Sequence, residues 1–305
     1  MSIIEKAMTR HGPLEPGGLT LMPIEHEAAA SAESLIEKAA KKQSSAEADR
    51  VPVAEDAPAE ARAGDRYSQL GQINLVKLHK AGMITPDGEK SQIAEEFRLI
   101  KRPLITNVFN RAAPVKNANL IMVTSSLPGE GKSFCAINLA MSIAMEMDHT
   151  VLLVDADVAK PSLPGFLGLK AEKGLMDVLL DNELQLCDVM IKTNVEKLTL
   201  LPAGRGNRYA TEMLASEAMS RLLQEMANRY RDRVIIFDSP PLLATTEARV
   251  LATHMGQIVM VVEAEKTTED QLQDALAQIE SCDVVGLVLN KGKALLGTDY
   301  PLYGY

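Results

Sequence analysis

Leu120-Ile-Met-Val-Thr-Ser-Ser-Leu-Pro-Gly-Glu-Gly-Lys-Ser133 is the stretch on which the reading of this 305-residue chain turns. Leu120–Thr124 is a short, continuous apolar run of the kind that forms a buried strand, and Lys132–Glu146 behind the loop has helical character. A glycine-rich loop between strand and helix lets successive backbone N–H groups converge on phosphate oxygens, and the helix N-terminus adds its positive end. Contacts to the phosphates of ATP are therefore expected from Gly129, Glu130, Gly131, Lys132, Ser133 and Phe134. Lys132 would reach the β- and γ-phosphates, and the Ser133 hydroxyl would ligate Mg²⁺. One position departs from the GxxxxGK[ST] pattern: Ser126 stands where the first glycine is expected.

Working outward, the same kind of apolar run recurs at Val151–Asp155, Leu198–Leu201, Val234–Asp238, Ile258–Val262 and Val284–Asn290. The runs are continuous rather than alternating, as in a parallel sheet covered on both faces. Helical stretches lie between or beside them at Thr211–Arg229, Thr246–His254 and Thr268–Ser281. Upstream, Ile93, Phe97 and Ile100 repeat at helical spacing, predicting a helix over 91–102 that Pro103 ends. The pattern predicts an α/β fold, a doubly wound, mostly parallel sheet of the P-loop NTPase type with helices on both faces. The expected domain covers residues 85–292.

Two strands end in acid: Val151-Leu-Leu-Val-Asp155-Ala-Asp157 and Val234-Ile-Ile-Phe-Asp238. Carboxylates at the C-terminal ends of parallel strands face the crevice where open α/β sheets bind ligands. A magnesium ion carried with ATP requires such groups, directly or through water. A single Asp after a strand is ordinarily a turn or a cap; two of them downstream of a phosphate loop point to a metal-assisted site. Asn290, ending the last strand, is a candidate for a base contact and equally for a turn.

Composition narrows the classes. A net charge of −9 disfavours a nucleic-acid surface. No apolar run reaches the ~20 residues that span a bilayer, and Met1–Gly12 lacks a signal-peptide core. Three dispersed cysteines, with no CxxC pair, suit a reducing compartment. The expected location is the cytoplasm. From Pro13 to Gly64 the chain is rich in Ala, Glu, Pro and Ser, with no aromatic residue, and reads as disordered apart from a transient helix at Ser34–Lys42. Residues 1–84 are expected to be flexible, as is the tail 293–305, which contains Tyr300, Tyr303 and Tyr305.

Asp-x-Asp after the second strand and Asp after a later one, behind a P-loop, form the Walker A, A′ and B set. In this order the set resembles the bacterial tyrosine kinases, relatives of the septum-placing and plasmid-partition ATPases. The likeness is greatest to exosortase-associated tyrosine autokinases of exopolysaccharide loci. Ile93–Leu104, Pro128–Ser133, Asp155–Pro161, Asp238–Leu243 and Thr245–Ala264 carry it, and it extends over about residues 80–305. Partition-type ATPases place a second lysine five residues before the P-loop lysine; here Leu127 stands there and cannot neutralise phosphate charge in trans.

The resemblance implies a role for each matching residue. Lys132 would hold phosphates, while Ser133, Asp157 and Asp238 would organise Mg²⁺. Asp155 would accept the tyrosine proton, and Tyr300, Tyr303 and Tyr305 would be phosphorylated in trans. It implies three partners: a membrane-embedded activator of the chain-length-determinant type, which recruits the chain to the inner face of the membrane; further copies of the chain, in a homo-oligomer; and a tyrosine phosphatase. Relatives form rings through a Glu-x-x-Arg-x-x-Arg helix motif, which reads Glu95-x-x-Arg98-x-x-Lys101 here. The second Asp of the Asp-x-Asp motif is usually continued with Arg, whereas Asp157-Val-Ala159-Lys160 has Ala then Lys here. The alternatives are a nucleotide-dependent switch of the partition type, with no tyrosine phosphorylation, and a non-catalytic ATP-binding subunit of an export complex.

Overall fold

All six apolar runs become strands of a single sheet. The computed structural model describes residues 4–5, 69–88, 91–110, 114–229 and 233–292. Its strands are β1 (Ile4–Glu5), β2 (Gln69–Gly71), β3 (Leu120–Ser125), β4 (Thr150–Asp155), β5 (Ile191–Thr193), β6 (Leu198–Leu201), β7 (Arg233–Asp238), β8 (Gln257–Glu263) and β9 (Val285–Asn290). Among the described residues they form one nine-stranded sheet in the order β1-β9-β8-β3-β7-β4-β6-β5-β2. The six central strands, β9 through β6 in that order, run parallel. The edges are mixed: β1 and β5 are antiparallel to β9 and β6, and β2 is parallel to β5.

Alternation along each strand builds two cores. Leu120, Met122, Leu152, Val154, Ile235, Phe237 and Met260 enter one cluster, together with residues of α5 (Leu175–Leu180), α6 (Leu186–Val189), α7 (Ala210–Leu214), α8 (Glu217–Arg229), α9 (Thr246–Ala252) and α10 (Glu269–Ala277). Ile121, Val123, Val151, Leu153, Val234, Ile236 and Val261 enter the other, against α1 (Leu75–Lys80), α2 (Gln92–Phe109), α3 (Lys132–Ala144) and α4 (Leu163–Leu167). Period-two alternation onto two buried faces is why these strands read as unbroken apolar runs. Helix α3 lies deepest, with every residue from Cys135 to Ala144 buried.

Three boundaries differ from expectation. Pro103 lies inside α2, which runs on to Phe109. Proline costs a helix about 3 kcal/mol, but continuation buries Leu104 and packs Ile105 and Val108 against the core, each such side chain being worth roughly 1.5–3 kcal/mol when fully buried. The helix expected over Thr211–Arg229 is two helices. Ser216 caps the second by accepting the Met219 N–H at 3.2 Å, while its own hydroxyl donates to the Met213 carbonyl at 2.7 Å. The packed body also begins before residue 85: Ile73, Leu78, Met83 and Ile84 are buried, and the Ile84 N–H donates to Asn138 Oδ1 at 2.7 Å. These residues lie on a short helix and two loops, so they carry no periodic signal. The disorder and helix expected before residue 65, and the tail 293–305, lie outside the described residues.

Candidate active site

The C-terminal ends of β3, β4, β7, β8 and β9 gather every sequence-predicted site residue among the described ones. Gly129 and Gly131 have φ of +89° and +99°, and Gly131 caps α3 in the left-handed region. A Cβ at Gly131 would also collide with the Asn290 amide, so this glycine is required twice over. Ser126 is not among the positive-φ residues and is fully buried. The missing first glycine therefore imposes no left-handed backbone strain, while the Ser126 hydroxyl is buried without a hydrogen-bond partner.

The loop is braced from the neighbouring strand ends. Asn290 Nδ2 donates to the Glu130 carbonyl at 2.8 Å, and Lys291 Nζ donates to the Gly129 carbonyl at 2.7 Å. In a trans peptide the N–H of the next residue points opposite to the carbonyl. Holding these two carbonyls toward β9 therefore turns the N–H groups of Glu130 and Gly131 the other way. Within the loop, Glu130 Oε2 accepts the Leu127 N–H at 2.7 Å, and Glu130 Oε1 accepts the Thr267 hydroxyl. Asn290 thus acts on the loop, with its Oδ1 accepting the Lys291 N–H.

Opposite the loop lies an acidic set. Asp155 and Asp238 are register partners on β4 and β7, and both are fully buried. Asp155 Oδ2 accepts the N–H groups of Ser162 and Leu163, each at 3.0 Å. Asp155 Oδ1 and both oxygens of Asp238 have no hydrogen-bond partner of ordinary geometry. Burial pushes the Asp238 carboxyl up to about 7, with the Ser133 hydroxyl and Lys132 opposing and Asp155 and Asp157 adding to the rise. Burial likewise raises Asp155 to about 6, against the pull of the Leu163 and Ser162 amides. Asp157 Oδ1 accepts the Lys160 N–H at 3.0 Å, and its Oδ2 lies 3.5 Å from Lys132 Nζ. The Ser162 hydroxyl donates to Ser133 Oγ at 3.3 Å.

These unpartnered hard oxygens beside a serine hydroxyl fit a divalent cation such as Mg²⁺. The carboxylates do not form a cage, since among the described residues no three His, Cys, Asp or Glu side chains are grouped tightly enough to hold an ion alone. That suits Mg²⁺, which keeps waters and shares its coordination with phosphate.

The profile of the AAA domain family matches residues 118–285. Tyrosine-protein kinase YwqD of Bacillus subtilis (strain 168) is 32% identical over 217 residues, covering 70% of this chain and 88% of that protein. The chain belongs to the bacterial tyrosine-protein kinases. The putative tyrosine-protein kinase CapB of Staphylococcus aureus is 30% identical, covering 67% of this chain and 87% of its own length. The crystal structure of the chimerical protein CapA2B2 superposes with a TM-score of 0.58 at 30% identity, over 74% of this chain and 95% of that one.

Two further positions from the motifs have defined places in the structure. Leu127 is half-buried and its N–H is held by Glu130. In the Glu95-x-x-Arg98-x-x-Lys101 motif, Arg98 pairs with Glu95 of its own helix at 2.6 Å. Lys101 is buried, donates to the Ser142 carbonyl at 2.7 Å and pairs with Glu146 at 2.5 Å. It ties α2 to α3. Sequence reasoning missed Ser162, Thr267 and Lys291, whose contacts cross between elements. Only the position of Ser162 and Thr267 near helix starts, at 162 and 268, hinted at ordered roles.

Proposed function

We propose that this chain is an ATP- and Mg²⁺-dependent protein-tyrosine autokinase that phosphorylates Tyr300, Tyr303 and Tyr305 of a neighbouring copy and regulates exopolysaccharide production or export. The observation that carries the reading is the meeting of Lys132, Ser133 and three carboxylates at the C-terminal ends of the central strands, in a chain of the bacterial tyrosine-protein kinases. Lys132 and the amides from Gly129 to Phe134 hold and orient the phosphates. Ser133, Asp157 and Asp238 hold the metal ion, which when bound offsets phosphate charge. Asp155, with Oδ2 fixed by two amides and Oδ1 without a partner of ordinary geometry, accepts the phenolic proton through Oδ1. Its raised pKa brings it nearer the working pH of a general base. Lys132 lies 3.5 Å from Asp157 and already points into the site. Phosphoryl transfer asks mainly for positioning and charge stabilisation, which this set supplies.

The unrelieved acid at Asp155 and Asp238 also bears on the tail. Each phosphotyrosine adds about −1.5 to −2 charges, which would repel the tail from the site and loosen a homo-oligomer. Among the described residues no helix is long and apolar enough to cross a membrane. A chain-length-determinant-type membrane protein would therefore provide recruitment to the cytoplasmic face, with a tyrosine phosphatase reversing the modification.

Incubation with ATP·Mg²⁺ followed by mass spectrometry of the C-terminal peptide tests the activity. Phosphate on Tyr300, Tyr303 or Tyr305 is expected, and mixing the triple-Phe variant with a Lys132→Met chain should label the Lys132→Met tail. Undiminished phosphotyrosine in the triple-Phe protein alone would overturn the tail assignment. ATP hydrolysis with no phosphotyrosine would favour the partition-type switch.

A further inference from the structure

Glu130 is an unexpected residue for a loop that receives polyphosphate. It is 2% exposed, and among the described residues no cation pairs with it. A buried, unpaired carboxylate is costly, and beside phosphate the cost rises. Its surroundings are arranged for acceptance only. The Glu263 N–H donates to Thr267 Oγ1 at 3.2 Å, so the Thr267 proton is directed onward to Glu130 Oε1. On the far side Glu130 Oε2 takes the Leu127 N–H. Two donors facing one group match an ionised carboxylate, which accepts through both oxygens. The result is a directed chain of hydrogen bonds from the end of β8 to the start of the loop.

We infer that Glu130 and Thr267 are positioning residues of the phosphate loop, fixing the 127–130 turn to the β8–α10 connection so that its amides stay aimed at the nucleotide. The inference rests on the nucleotide reading of this site and adds Thr267, which lies outside the phosphate loop, as a determinant of affinity. Asn290 and Lys291 hold the carbonyls of the same turn; Thr267 holds its side chain. The loop is thus anchored to the ends of both β8 and β9.

Two measurements on the full chain separate this inference from the function on which it rests. The first is ADP affinity in the presence of Mg²⁺. Thr267→Val, which keeps the shape and removes the hydroxyl, should weaken ADP about tenfold, the scale of one hydrogen bond to a charged group. Thr267→Ser should recover binding to within about twofold of the parent. Glu130→Gln should weaken ADP similarly, and adding Thr267→Val to it should cause little further loss, because one chain of bonds is already broken. Parent-like affinity in Thr267→Val, no recovery in Thr267→Ser, or additive losses would each overturn the inference. The second is hydrogen exchange at the Leu127 amide without nucleotide. It should quicken by about tenfold or more in Thr267→Val and Glu130→Gln, and unchanged protection would overturn the strut even if the chain proved unable to bind ADP. Failure of the parent to bind ADP, with Leu127 exchange responding as expected, would instead sink the nucleotide reading and leave the strut standing.

Discussion

The two walls of the site are built on opposite terms. On the phosphate-loop side, the buried Glu130 and Asn290 have their partners: Glu130 takes two donors, and Asn290 spans the Glu130 carbonyl and the Lys291 amide. On the β4–β7 side, three carboxylate oxygens are buried without partners of ordinary geometry. The first wall satisfies these two side chains within the protein alone, although the Ser126 hydroxyl is buried there without a partner. The second holds like charges in a dry place, which opposes folding until protons or a cation offset them. A site can thus be preorganised in one half and electrostatically strained in the other, and the strained half identifies where positive charge belongs.

The largest effect should come from removing the loop's own cation. Lys132→Met should reduce phosphotransfer by about 10³-fold or more, with a melting temperature within a few degrees of the parent. A folded Lys132→Met protein with parent-like transfer would remove the ATP-site assignment.

Next in size is a stability change of opposite sign on the two walls. Asp238 at about 7 and Asp155 at about 6 both lie above the ordinary 3.8. Between those values the folded, ligand-free chain binds more protons than the unfolded one, so this contribution is complete below about pH 4 and is lost as pH rises through 6 to 7. Asp238→Asn should stabilise the ligand-free protein at pH 8 by on the order of 1–3 kcal/mol and flatten its pH dependence. Asn290→Ala should destabilise it by about 1–3 kcal/mol, since it strips a buried carbonyl of its donor. Thermal melts at pH 5 and pH 8 read both, and shifts of the same sign would break the contrast between the walls. The smallest change is expected from Lys291→Ala. Lys291 is 47% exposed along its side chain, so its loss should cost no more than about 1 kcal/mol.

The central sheet was legible because six strands buried on both faces leave continuous apolar runs that nothing else in the chain imitates. Lys132, Ser133, Asp155, Asp157 and Asp238 were legible because a phosphate loop and strand-end acids have fixed places in the chain. The edge strands β1, β2 and β5 were not, since two or three residues carry no period. Pro103 misled because a local rule was overridden by the burial of Leu104 further along the helix. Lys101 misled for a related reason: spacing places it beside Glu95 and Arg98, but only packing reveals that it turns inward to Ser142 and Glu146. Thr267 was invisible because its partner is 137 residues away, and a hydroxyl before a helix looks like a cap whatever else it binds.

The pairing of Asp155 with Asp238 across β4 and β7 has a consequence for how the chain matures. Successive side chains on a strand point to opposite faces, so a slip of one residue in that pairing would send one of the two acids to the wrong side of the sheet. A sheet misaligned by one residue therefore cannot assemble the acidic wall. A newly made chain gains its chemistry only when its innermost strands have found their true alignment, and a chain trapped out of alignment is silent rather than unregulated.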